Sequence, residues 1–137
     1  MKIEVIIEKD KIGISGSIDR KGNFFPATTG KTLNEVLQNL KNLIIGYQKF
    51  EGKKDVAWKK INAQKIEWQI RYDIQAFFQQ HDYLNISAIA RRAGINENLL
   101  RHYAAGIKYP SPLQTKKIED TIHNLAHELS TVGLSAA

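Results

Sequence analysis

The stretch at residues 86–106, "ISAIARRAGINENLLRHYAAG", constrains the fold more than any other part of this chain. Two short helices crossing at a steep angle need a small residue where their backbones meet, and Ala90 supplies it. The turn between them needs a residue that tolerates positive φ and then an apolar plug, the roles of Gly94 and Ile95. The second helix must bury every third or fourth residue, which Leu100 and Tyr103 can do against Ile89, and Gly106 ends it. Asn85 and Asn96 suit the two N-caps. After the loop "KYPSP", Ser111 or Pro112 opens a long amphipathic helix over 113–132. Its stripe is Ile118, Ile122, Leu125, Ala126 and Leu129, and the tail "GLSAA" is expected to fray.

Upstream the hydrophobic period is two rather than 3.6. "KIEVIIEK" places Ile3, Val5 and Ile7 on one strand face, and "ISGSI" alternates again after "DKIG", which predicts a hairpin. "DRKGNFFPATT" carries a turn signal at 21–23 and then a short strand expected to stop near Pro26, because proline has no N–H for a ladder. Thr32 and Glu35 have the capping-box spacing ahead of the helical stripe Val36, Leu37, Leu40, Leu43 and Ile44. Residues 51–65, "EGKKDVAWKKINAQK", are basic and aperiodic. They are read as a solvated connection with one helical turn, in preference to a surface for double-stranded RNA. In "IEWQIRYD", Ile66, Trp68, Ile70 and Tyr72 alternate with polar residues, so a strand is expected. The competing helix would align Ile66, Ile70, Ile74 and Phe77 but leave Trp68 and Tyr72 on another face. Asp73 can cap a following helix, although Ala76 offers no reciprocal side chain. The chain is therefore expected to divide near Tyr72, into an α+β unit at 1–72 and an all-helical unit of about four helices at 73–137.

Composition narrows the function classes. The 137 residues are 42% apolar and 25% charged, and they include no cysteine, which removes disulfides and thiolate metal sites. The N-terminus lacks the apolar core of a signal peptide and no run approaches the ~18 residues of a membrane span, so a soluble cytoplasmic protein is expected. The net charge of +6 is unevenly placed. Residues 1–72 hold 14 Lys and Arg against 8 Asp and Glu, while 73–137 hold 6 against 6. Between 84 and 111, however, Arg91, Arg92, Arg101 and Lys108 face only Glu97. His123 and His127 have a metal-ligating spacing, but no glutamate stands between them and no third ligand is evident. With no phosphate loop, nucleophile elbow or upstream histidine, neither catalysis nor a metal or other cofactor is expected.

The offsets of Ala90, Gly94, Ile95, Leu100 and Gly106, with Pro110 after them, resemble the helix-turn-helix of the lambda-repressor and Cro-like family of bacterial and phage regulators. Ile86 stands where that family often has a polar residue that touches the DNA backbone. The resemblance implies that Glu97, Asn98, Arg101 and His102 face outward from the second helix, with Lys108 beyond its end and Ser87 and Asn96 in the same interface. Arg101 is then the best base reader, since a guanidinium can bond guanine O6 and N7 together, and Asn98 can address adenine. Glu97 can accept from cytosine N4 or simply favour the helix N-terminus. Arg91, Arg92 and Lys108 suit phosphates, and His102 suits a local hydrogen bond better than a base.

"GKTLNEVLQNLKNLI", following three short strands, resembles the HicB-like antitoxin domain through Gly30, Thr32 and Glu35. "NFFPATTG" replaces that family's usual Leu-Pro-Gly-Cys-like segment. Together the resemblances imply an N-terminal β-β-β-α-β HicB-like domain followed by an all-α lambda-repressor-like bundle. They imply a transcription regulator that binds double-stranded DNA as a dimer or higher oligomer and takes a small ribonuclease toxin as partner. The alternative is an interaction protein that masks such a partner without binding DNA.

Overall fold

A computed structural model describes residues 1–136; the last residue of the expected frayed tail, Ala137, lies outside the described residues. The fold is mixed α+β, with a four-stranded sheet and six α-helices among the described residues, in two compact units. The first is Met1–Gln80 and the second begins at His81.

In the first unit, β1 (Lys2–Lys9) and β2 (Ile14–Ser17) form the expected hairpin, closed by Asp10 N–H donating to the Gly13 carbonyl at 3.0 Å. β3 (Ala27–Gly30) lies antiparallel on β2, and β4 (Glu67–Tyr72) runs parallel to β1. The order is β3-β2-β1-β4. Ile3 stands opposite Trp68, Val5 opposite Ile70 and Ile7 opposite Tyr72, so the alternating residues of both strands share one face. That face is covered by α1 (Leu33–Lys49), whose Val36, Leu40 and Ile44 are fully buried against it. Each such side chain contributes roughly 1.5–3 kcal/mol by leaving water. Thr32 caps α1, its hydroxyl accepting from Glu35 N–H at 3.2 Å, while the Glu35 carboxylate reaches back to Lys31 N–H at 3.2 Å.

Three expectations need correction. The third strand begins after Pro26 instead of ending there. The Pro26 carbonyl accepts from Ile18 N–H at 3.0 Å, a bond that needs no N–H from proline. Next, the connection at 51–65 is not a solvated linker, since Trp58 is fully buried and Ile61 and Ala63 join the same core. It holds α2 (Val56–Lys59), capped by Asp55, and a 3-10 turn at Ala63–Lys65, capped by Asn62. Finally, α3 (Ile74–Gln80) belongs with the sheet and not with the helices downstream. Capped by Asp73, which accepts from Ala76 N–H at 2.7 Å, it packs on β1 and β4, buries Ala76 in the sheet's core and sets Phe77 edge-on to Tyr72. The units therefore divide after Gln80 rather than after Tyr72.

The second unit has three helices, one fewer than expected because α3 is elsewhere. α4 (Ile86–Ala93) packs on both α5 (Glu97–Ala104) and α6 (Pro112–Ser130). Ile89, Ala90, Ile95, Leu100, Tyr103 and Ile118 are buried. The expected α6 stripe is only partly covered: Ile118 is buried, Ile122 and Leu125 are half-buried, and Ala126 and Leu129 are exposed. Among the described residues no helix is long and apolar enough to cross a membrane.

Candidate nucleic-acid interface

The surface around α4 and α5 is set by its caps. The Asn85 side chain accepts from Ala88 N–H at 3.0 Å to start α4. Gly94 ends it at φ 70°, a conformation that costs an L-residue strain, and Ile95 N–H folds back onto the Ala90 carbonyl at 2.9 Å. Ile95 is thereby turned into the core, and Asn96 follows immediately as the cap of α5. Its side chain accepts from Asn98 N–H at 2.9 Å and Leu99 N–H at 3.2 Å. Asn96, expected in the interface, thus spends its oxygen on the helix. Gly106, at φ 76°, lets the chain leave α5.

Leu100 and Tyr103 point inward, which puts Glu97, Asn98 and Arg101 on the outer side of α5. There they meet Ser87 and Arg91 of α4. Arg101 Nη1 donates to Asn98 Oδ1 at 2.8 Å and its Nη2 to Ser87 Oγ, while Nη2 lies 3.6 Å from Glu97 Oε2. Arg91 Nη1 donates to Glu97 Oε1 at 2.6 Å. Five of the nine residues expected in the interface, Ser87, Arg91, Glu97, Asn98 and Arg101, therefore form one hydrogen-bonded cluster. The arginine side chains stay 63% and 49% exposed, so these ion pairs are weak, within ~0–1 kcal/mol, and can exchange for groups of an incoming ligand.

The remaining residues are placed otherwise. Arg92 turns toward α6 and bonds Glu128 at 3.0 Å. The backbone carbonyl of half-buried His102 accepts from Ile107 N–H at 2.9 Å and Lys108 N–H at 3.3 Å, which shapes the loop after α5. Lys108 is exposed on that loop beside Tyr109, itself 83% exposed. Tyr109 was missed from sequence. An aromatic between a lysine and a proline was the available signal, outweighed by the turn residues around it.

Chemically, the cluster can do one thing well: it presents a planar guanidinium whose fork is pre-oriented by three neighbours, next to an amide and a hydroxyl, on a solvent-facing helix. Its electrostatics are balanced, because Glu97 sits between two arginines. On α6, the Asp120 carboxylate 3.1 Å from Lys116, with Glu119 beside it, holds the lysine's pKa above its usual value, so it stays cationic. His123 and His127 are both exposed, and among the described residues no group of three His, Cys, Asp or Glu side chains could hold a metal ion. No protein-family model, no curated protein and no solved structure matches this chain.

Proposed function

We propose that this protein is a sequence-specific DNA-binding regulator of transcription, cytoplasmic and non-catalytic, in which α5 enters the major groove. The observation that carries this reading is the exposed cluster in which Ser87, Asn98 and Glu97 hold the Arg101 guanidinium. A guanidinium held by weak, exposed partners can trade them for guanine O6 and N7, a pair that discriminates by about 1–3 kcal/mol. Arg91 and Lys108 reach phosphates, Asn98 lies next to Arg101 for an adjacent base, and Arg92, engaged by Glu128, adds less than the other arginines. In this reading His81 onward is a lambda-repressor-like helix-turn-helix domain and Met1–Gln80 a HicB-like domain for oligomerisation or toxin capture. A dimer couples two weak half-site contacts through their shared effective concentration.

Selection of bound fragments from random DNA tests it. The wild-type chain should enrich a paired, inverted site with affinity that falls steeply with salt. Arg101→Ala should lose the preference at one position of each half-site while keeping its folded helix content. Absence of enrichment at low salt overturns the proposal.

One observation favours a second reading, a protein that masks a small partner without binding DNA: Arg91, Arg92 and Arg101 all already face carboxylates of their own chain. Stoichiometric co-purification with a small basic protein, together with no retention on DNA, would establish it in place of the first.

A further inference from the structure

β1 is longer than its neighbour on one side. β4 accompanies residues 2–7 of β1, whereas β2 reaches only 6–9. Beyond Ser17 the chain turns to β3's side, with Ile18 N–H on the Pro26 carbonyl, and leaves a notch beside residues 2–5. Its lining includes Lys2, Ile3, Glu4, Ile18, Arg20 and Trp58, around a volume of about 290 Å³.

The main chain's direction in this notch follows from bonds at its ends. The carbonyls of Met1 and Ile7 accept from Glu67 N–H at 3.0 Å and Asp73 N–H at 2.9 Å, so odd-numbered residues of β1 turn their main chain toward β4. Even-numbered residues turn the opposite way, as Asp10 does in closing the hairpin with Gly13. Ile6 and Glu8 meet β2, but Lys2 and Glu4 meet no strand on that side among the described residues. They leave an open edge with donors and acceptors two residues apart, the arrangement that templates pairing with another strand. The side chains of Lys2 and Glu4 are exposed, on the sheet face opposite buried Ile3.

We propose that this notch is an interface between two copies of the chain, in which β1 pairs antiparallel with β1 of the second copy about a twofold axis at Ile3. Lys2 of each copy then exchanges main-chain hydrogen bonds with the other's Glu4, and their side chains face each other as opposite charges, twice by symmetry. The register is selected by charge. Shifting it by one step in either direction sets Lys2 against Lys2, or Glu4 against Glu4 while driving the strand into the place β2 occupies. A foreign strand would gain the main-chain bonds but not this reciprocal match, which is why a second copy is the fitting occupant. The inference stands apart from the DNA-binding reading, because it rests on the other unit alone.

The test is sedimentation equilibrium of the full chain at micromolar concentrations, with charge-swapped variants. The wild type should be a dimer. Lys2→Glu should weaken it by about tenfold, two like-charge contacts having replaced two favourable ones. Lys2 makes no ion pair within its own chain, so this variant should keep the wild-type melting temperature; Glu4→Lys also gives up a 4.0 Å contact with Arg71 and is the less clean probe. Combining Lys2→Glu with Glu4→Lys should restore the dimer to within about threefold of wild type. A monomeric wild type, a dimer indifferent to Lys2→Glu, or a dimer unrescued in the folded double variant overturns the proposal. So does a dimer lost with Leu129→Glu alone, which would move the interface to the exposed stripe of α6. Fragment selection with DNA, run on the same variants, reports on the other reading independently.

Discussion

Two polar clusters, one in each unit, use the same chemistry to opposite ends. Around Asp55 the carboxylate accepts from the Tyr47 hydroxyl at 2.6 Å, Asn23 N–H at 3.1 Å and Ala57 N–H at 3.0 Å. Nearby, Trp58 Nε1 donates to the Lys21 carbonyl at 2.7 Å, Phe24 stacks on Tyr47 at 4.0 Å, and Gln48 donates to the carbonyls of Trp58 and Ile61. Every bond there ties one chain segment to another's backbone or to an aromatic packed on the core, so the network fastens a loop. Around Arg101 the bonds join side chain to side chain on an exposed face, so the network orders a surface without burying it. A hydrogen-bonded cluster is thus structural or available according to whether its partners are main chain over a core or mobile groups in water.

That contrast can be broken by experiment. The largest effect expected is from Trp58→Ala, which should destabilise the first unit by about 3–5 kcal/mol, seen as a lower denaturant midpoint. If it loses less than about 1 kcal/mol, the connection is a loose linker after all. Gly94→Ala should cost the second unit about 1–2 kcal/mol. A Cβ at Gly94 meets no atom within 4 Å, so the whole effect is the conformational one at φ 70°. Glu97→Gln should change stability by less than about 1 kcal/mol. Under the DNA-binding reading it should also raise non-specific DNA affinity and steepen the salt dependence by roughly one unit of log–log slope, because Arg91 and Arg101 lose their internal carboxylate. An unchanged slope would mean that the arginines are not exchanged onto phosphates.

The pH dependence should separate the clusters more finely. Hydrogen bonds from the Tyr47 hydroxyl first, and then from Asn23 N–H, hold the Asp55 carboxyl below the ordinary 3.8. Its contribution is therefore present above that value and lost as pH falls through the lower pKa of the folded state. The same bond, with desolvation adding to it, pushes Tyr47 from 10.0 up to about 12. That contribution is intact below pH 10.0 and disappears as pH rises toward about 12. Asp55→Asn should flatten the acid limb of a melting-temperature profile; an unaltered profile would show that the Tyr47–Asp55 bond does not contribute.

Much of this fold was legible from residue spacing. The alternation of Ile3, Val5 and Ile7 marks β1, that of Trp68, Ile70 and Tyr72 marks β4, and Thr32, Asn85, Asn96 and Ser111 each cap the helix expected of them. These are local signals: a strand's faces repeat every two residues and a cap acts within three. The connection at 51–65 was not legible, because what orders it lies far away in the chain. Trp58 reaches Lys21 across 37 positions, and Asp55 reaches Asn23 across 32. Nor could spacing say that α3 packs on the sheet, since an amphipathic turn of helix fits either neighbour equally well.

In the candidate site, helical spacing was enough to put Glu97, Asn98 and Arg101 on one side of α5, because the buried Leu100 and Tyr103 leave no other orientation. Which of the nearby basic groups joins them was decided by tertiary packing. Arg91 and Arg92 are neighbours in sequence, but a helix turns about 100° per residue. One therefore meets Glu97 of α5 and the other Glu128 of α6, 36 positions away. Sequence alone determined the elements, their caps and the faces they bury, all settled within a few residues of backbone. Only the tertiary structure decided what those faces meet: the depth of Trp58, the partner of each arginine, and the notch beside β1 that β2 is too short to fill.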